Sequence, residues 1–110
     1  MPKLRRVDPE GREELLQQVT EFVRELKAKL PVEDVYLFGS LARGGLHEGS
    51  DIDLCIVGAF PERLPYRILK IIKMTRLPIE PVVYTRQEFE QMKREGNPFV
   101  LEVLRTGTAL

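Results

Sequence analysis

Two aspartates, one residue apart, open an apolar run in the stretch SDIDLCIV, where they are Asp51 and Asp53. Side chains alternate along a strand, so a strand that begins here points both carboxylates to one side. At about 5 Å and an effective dielectric near 20, two carboxylates repel each other by roughly 3 kcal/mol. Such repulsion is relieved by a raised pKa or by a cation, and Mg²⁺ prefers oxygen ligands. The pair therefore indicates a Mg²⁺ site, although two solvated acids that cap a strand would give the same pattern.

The segment before the aspartates has the features of a phosphate-binding turn. Gly39 and Ser40 follow the apolar residues 35–38. Glycine lets the backbone approach a ligand closely, and the N–H groups at the start of a short helix can hold a phosphate together with the Ser40 hydroxyl. Arg43, one turn further on, is either a cationic donor to the same phosphates or a surface charge. Acids on one side and this turn on the other would suit polyphosphate transfer, in which catalysis is mostly positioning and charge neutralisation.

The rest of the chain must position these residues, and its pattern is that of one compact α/β domain over residues 1–110. Apolar periodicity and capping signals predict helices at about 9–30, 40–43, 62–75, 86–95 and 98–106, and strands at about 35–38, 52–57 and 79–84. Pro81 removes one hydrogen-bond donor from the third strand, so we expect that strand at an edge of the sheet. If the second and third strands are neighbours, Glu80 can complete a cluster of three carboxylates with Asp51 and Asp53.

The composition is that of an ordinary globular protein. The chain has 110 residues, of which 43% are hydrophobic and 31% charged, and its formal net charge is zero. A chain of this size can bury a core without disulfides or a structural metal. Cys55 lies in an apolar run, so we expect a buried packing residue and a reducing, cytoplasmic setting. We expect no membrane segment and no nucleic-acid partner.

The predicted helix over residues 62–75 carries an unusual number of cations. Arg63, Arg67 and Lys70 share one face, and Lys73 and Arg76 continue around the helix. Most such faces are solvated, but docking of an acidic partner and nucleic-acid binding are the alternatives. The expected buried side consists of four apolar residues: Leu64, Ile68, Ile71 and Ile72.

The spacing G-S-x10-D-x-D, from Gly39 to Asp53, resembles the signature of the DNA polymerase beta-type nucleotidyltransferase superfamily. The fuller string GSLARG…SDIDL is similar to the smallest members, the bacterial and archaeal minimal nucleotidyltransferases. The resemblance extends to PIEPVVYTRQEFE, with Glu80 in place of the third acid, and to NPFVLEVLRTGTAL. It implies the nucleotidyltransferase fold, an α/β (α+β) arrangement with a small mixed β-sheet flanked by helices.

The resemblance also implies a reaction. Asp51, Asp53 and Glu80 would bind two Mg²⁺ ions, and Gly39, Ser40 and Arg43 would bind a nucleoside triphosphate, with ATP as the default donor. A nucleoside monophosphate would pass to a hydroxyl acceptor. Minimal members commonly accompany a small helical partner of the HEPN class in toxin–antitoxin pairs, where a tyrosine of the partner is adenylylated. The alternative is a non-catalytic antitoxin that neutralises its partner by docking, and self-association also stays open.

Overall fold

Five helices and four strands make up the described part of the chain. The computed structural model describes residues 9–42 and 52–110, apart from the side chains of residues 9, 10 and 40. The elements are α1 (Pro9–Lys29), β1 (Val32–Phe38), α2 (Gly39–Ala42), β2 (Ile52–Gly58), α3 (Leu64–Ile72), β3 (Ile79–Thr85), α4 (Arg86–Arg94), α5 (Pro98–Thr106) and β4 (Thr108–Ala109). Their order agrees with the predicted order, and β4 is an addition. Within this part of the chain no helix is both long and apolar enough to cross a membrane.

The four strands form one mixed sheet in the order β3-β2-β1-β4. β1 is antiparallel to β2 and β4, whereas β2 and β3 are parallel and are joined through α3. This mixed sheet flanked by helices confirms the predicted fold class. β3 lies at the edge of the described sheet, where Pro81 does not interrupt a hydrogen-bond ladder on both sides.

β2 is the centre of the core because both of its faces are covered. On one face Ile52, Leu54 and Ile56 belong to a cluster that also contains buried residues of α1 and α3. On the other face Cys55 and Val57 belong to a second cluster with residues of α4 and α5. A strand buried on both faces is nearly continuously apolar rather than alternating, which explains the run LCIV.

α3 differs from its prediction in length and in its buried side. It begins at Leu64, with Pro65 in the first turn, and ends at Ile72. The prediction that Leu64 and Ile72 are buried is wrong, since 43% of Leu64 and 38% of Ile72 are exposed. Ile72 lies about 100° around the helix from the fully buried Ile71. The buried side instead includes Arg67, which is only 7% exposed.

Candidate functional site

The parallel pairing of β2 and β3 brings two of the predicted acids side by side. Asp53 and Glu80 are register partners, so their side chains project from the same face of the sheet. Neighbouring strands lie about 5 Å apart, which sets the spacing at the base of the two side chains. Asp53 is half-buried and Glu80 is exposed. The hypothesis that the second and third strands are neighbours is therefore confirmed.

The glycine of the predicted turn packs directly against one of these acids. Phe38, the last residue of β1, is the register partner of Asp53, so the chain leaves β1 beside that carboxylate. Gly39 has φ +78°, a conformation that side-chain-bearing residues rarely adopt. A Cβ placed on Gly39 would lie 2.2 Å from Oδ2 of Asp53. Only a glycine can occupy this position while the carboxylate stays where it is.

A contact between distant segments fixes the short helix that follows Gly39. Arg12, on α1, donates a hydrogen bond from Nη2 to the backbone carbonyl oxygen of Leu41 in α2, at 2.9 Å. The backbone of Ser40 lies within α2. Arg12 carries no functional signal in the sequence, because its contact joins residues 29 positions apart and leaves no local pattern.

An aromatic pair borders the acids on the side away from Glu80. The rings of Phe38 and Phe99 meet edge to face, with centroids 5.2 Å apart and an interplanar angle of 82°. Phe99 lies in the first turn of α5, where the Asn97 side chain accepts hydrogen bonds from the backbone N–H groups of Phe99 and Val100. The Asn97 cap thus also positions an aromatic ring near Asp53. From sequence alone, Phe99 has only the pattern of an apolar helix residue.

β3, which carries Glu80, is held from its open edge by Arg67. The Arg67 guanidinium donates from Nη1 to Glu88 Oε1 at 2.9 Å and to the carbonyl oxygen of Val83 at 3.3 Å. Its Nε donates to the carbonyl oxygen of Glu62 at 2.6 Å. These bonds connect α3, β3 and α4. The hydrogen bond from Arg67 is the main cause that lowers the pKa of the Glu88 carboxyl.

The interpretation of the basic face of α3 as simply solvated is therefore wrong for Arg67. Lys70 on the same face pairs with Glu62 at 2.5 Å. Two of the three cations expected on that face thus form ion pairs within the chain, and they are less available to an anionic ligand.

Cys55 lies two residues beyond Asp53 in β2 and is completely buried. Burial raises the pKa of its thiol to about 12. The thiolate is the reactive form of cysteine, so this side chain is a packing residue, as the sequence indicated.

Part of the predicted site lies outside the described residues: Arg43, Asp51 and the side chain of Ser40. Across residues 9–42 and 52–110, no group of three or more His, Cys, Asp or Glu side chains is placed to hold a metal ion. Two of the three predicted ligands, Asp53 and Glu80, belong to this part of the chain.

Comparisons with known proteins agree with this fold. The family model for the nucleotidyltransferase domain matches residues 19–104. A crystal structure of a protein from Sulfolobus solfataricus, described as a candidate nucleotidyltransferase, superimposes with a TM-score of 0.61 at 28% sequence identity. The match covers 74% of this chain and 77% of that protein. None of the curated proteins compared matches the sequence significantly.

The family match and the fold define a transferase of nucleotides. The family match spans most of the chain, and the chain belongs to the nucleotidyltransferase domain family. Domains of this family transfer a nucleoside monophosphate and generally use a nucleoside triphosphate and a divalent metal ion.

Proposed function

We propose that the chain is a single-domain, Mg²⁺-dependent nucleotidyltransferase that moves AMP from ATP to a tyrosine hydroxyl of a partner protein. The partner is a small helical protein of the HEPN class, and the two form a toxin–antitoxin pair. Family membership supports nucleotide transfer in general. The observation that carries the proposal is the register pair of Asp53 and Glu80 next to the Gly39 turn.

The described residues fit a divalent metal ion. Asp53 and Glu80 offer carboxylate oxygens, the ligand type that Mg²⁺ prefers, on one face of the sheet. In the proposal Asp51 would join Asp53 and Glu80 in holding the divalent metal ions. When bound, the ions supply charge neutralisation at the entering and leaving oxygens of the transfer.

Each remaining residue has a positioning role in this proposal. The backbone at Gly39 admits the triphosphate close to Asp53, and Ser40 and Arg43 donate hydrogen bonds to its phosphate oxygens. Glu80 is the more exposed of the two acids on the sheet, so it can accept the proton of the acceptor hydroxyl. Family membership and the packing of Gly39 on Asp53 support these assignments.

The test uses ATP labelled at the α-phosphate, Mg²⁺ and the purified helical candidate partner. We expect label on a partner tyrosine, located by mass spectrometry, and loss of labelling when EDTA is added. Glu80→Gln should slow labelling on the order of 100-fold or more, since it removes a proton acceptor and a metal ligand. Glu102→Gln is the matched control, because Glu102 is an exposed acid on α5, and it should label at the wild-type rate.

The outcome distinguishes the alternative of a non-catalytic antitoxin. If the partner binds but carries no label with the wild type, and Asp53→Ala binds it equally well, docking alone is the function. Label on a nucleic acid or a small alcohol instead of the protein would keep the transferase and reject the tyrosine acceptor.

A further inference from the structure

Exposed apolar side chains concentrate on α3. Four of the six large, exposed apolar residues in the described chain lie on this nine-residue helix: Leu64, Tyr66, Leu69 and Ile72, of which Tyr66 is 63% and Leu69 49% exposed. Tyr66, Leu69 and Ile72 follow at three-residue spacing and form one row, here named the α3 stripe. Ile71, about 160° around the helix from Leu69, is fully buried. A helix that is apolar on both sides usually has both sides covered, so the α3 stripe has the character of an interaction surface.

Positive charge borders this stripe at both ends. Arg63 precedes the helix, Lys73 and Arg76 follow it, and all three are exposed. Within the described residues none of the three takes part in an ion pair, in contrast to Arg67 and Lys70. The cations next to the stripe are therefore available to an external partner.

We propose that the α3 stripe docks a partner protein through a helix whose own apolar row is bordered by Asp and Glu side chains. Apolar contact would supply the centre of the interface, and the acids would pair with Arg63, Lys73 and Arg76 at its rim. A second copy of this chain does not fit, because two-fold pairing of the stripe brings like charges of both copies into one contact. A nucleic acid does not fit either, since the centre of the surface is apolar rather than cationic.

The stripe and the acids lie toward the same end of the sheet, and the step that links them rests on the proposed function. α3 joins the parallel strands β2 and β3, so it runs back along the sheet and ends near the start of β3. Glu80 is the second residue of β3. Ile71 of α3 packs on the face of the sheet that carries Ile52, opposite to the face of Asp53 and Glu80. A partner seated on the stripe would therefore have to continue past Ile72 and around this end of the sheet to bring a hydroxyl acceptor to the acids.

The first experiment identifies what lies on the stripe. The photo-reactive amino acid p-benzoylphenylalanine replaces Leu69 in the full chain, and in a control it replaces Leu101, an equally exposed leucine on α5. After irradiation in cells of the source organism, mass spectrometry identifies the cross-linked protein and segment. We expect the Leu69 position to capture one protein, through a helix with an acid-bordered apolar row, and the Leu101 position not to capture it.

The second experiment uses titration calorimetry, without ATP or Mg²⁺, to measure the affinity of this chain for the cross-linked partner after both have been purified. Leu69→Asp should weaken binding by at least about tenfold, and the matched Leu101→Asp should change it by less than about twofold. The double variant Lys73→Glu/Arg76→Glu should weaken binding comparably and reduce its salt dependence. Lys93→Glu/Arg94→Glu, a matched charge reversal at two exposed positions of α4, should not.

Three cross-linking results would overturn the docking surface: no capture, equal capture from both positions, or capture of a second copy of this chain. It would also be overturned if Leu69→Asp weakened binding to phosphatidylserine vesicles or to RNA but not to a protein. The two proposals fail separately. If Leu69→Asp leaves both binding and labelling unchanged, the docking surface is wrong and the transferase stands. If Leu69→Asp abolishes binding but the wild type never labels the bound protein, the proposed function is wrong and the docking surface stands.

Discussion

Replacing Gly39 by alanine tests whether the turn and the acid form one unit. Gly39 and Gly96 both have positive φ, +78° and +74°. A Cβ on Gly39 would meet Asp53 Oδ2 at 2.2 Å and Cγ at 3.1 Å, whereas a Cβ on Gly96 would meet nothing within 4 Å. Gly39→Ala and Gly96→Ala therefore share the backbone cost and differ in the contact with Asp53.

The magnitudes follow from these two contributions. An alanine in the left-handed region costs roughly 1–2 kcal/mol, which is the whole expected effect of Gly96→Ala. In Gly39→Ala the Asp53 carboxylate must also retreat by about 1 Å to restore ordinary contact, and such overpacking costs about 1–3 kcal/mol more. For a domain of this size each 1 kcal/mol lowers Tm by roughly 4–8 °C. Gly39→Ala should therefore have a clearly lower Tm than Gly96→Ala.

Two measurements check this reasoning. Urea unfolding gives the difference in stability between the two variants, and titration with a fluorescent ATP analogue in the presence of Mg²⁺ gives nucleotide affinity. We expect Gly39→Ala to bind the nucleotide at least about tenfold more weakly, because the displaced carboxylate no longer faces the turn, and Gly96→Ala to bind as the wild type does. Equal stability of the two variants would refute the packing argument. Wild-type nucleotide affinity in a folded Gly39→Ala would refute the role of the turn.

Two further predictions concern groups outside the acids. Glu88→Gln should lower the free energy of unfolding by about 0.5–1 kcal/mol at pH 7, because it leaves the buried Arg67 without its anion while solvent screens the exposed Glu88 carboxylate. Glu95→Gln, at the C-cap of the same helix, should not lower it. The folded-state pKa of Glu88 is lowered, so its contribution to the free energy of unfolding is present above the unfolded-state pKa near 4.3 and is lost as pH falls through the folded-state pKa. If urea unfolding shows the same difference between Glu88→Gln and the wild type at pH 3 as at pH 7, this expectation is contradicted. Cys55, whose thiol pKa burial raises to about 12, should react with Ellman's reagent at pH 8 only as the chain unfolds, and rapid reaction of the native protein would show that the site is open.

Local chemistry allowed several elements to be predicted from sequence. The motif T-R-Q-E from Thr85 to Glu88 is a capping-box signal, and the box is present. Thr85 Oγ1 accepts from the Glu88 N–H at 3.0 Å, and Glu88 Oε1 accepts from the Thr85 N–H at 2.8 Å. Proline favours the first turn of a helix and glycine the end, and α1 and α5 begin at Pro9 and Pro98 while Gly96 follows the end of α4. These signals work because each depends on residues within one helical turn.

Contacts between distant segments could not be predicted in the same way. β4 has only two residues and exists because it pairs with Tyr36 and Leu37 of β1. Arg67 belongs to a cationic pattern typical of a solvated face, and its burial depends on Glu88, 21 residues away. In each case a tertiary partner overrides the local preference of the sequence.

The acid pair on β2 and β3 is tolerated because the opposite face of the same strands is packed. Ile52 is fully buried and Ile79 is 9% exposed, and these apolar residues directly precede Asp53 and Glu80 in their strands. Burying one such side chain stabilises by about 1.5–3 kcal/mol, comparable to the roughly 3 kcal/mol by which two carboxylates 5 Å apart repel each other. The pairing of β2 with β3 therefore does not depend on the acids. Removing either carboxylate should leave the fold intact, so a loss of nucleotide transfer in Asp53→Ala reports on the chemistry of the site rather than on unfolding.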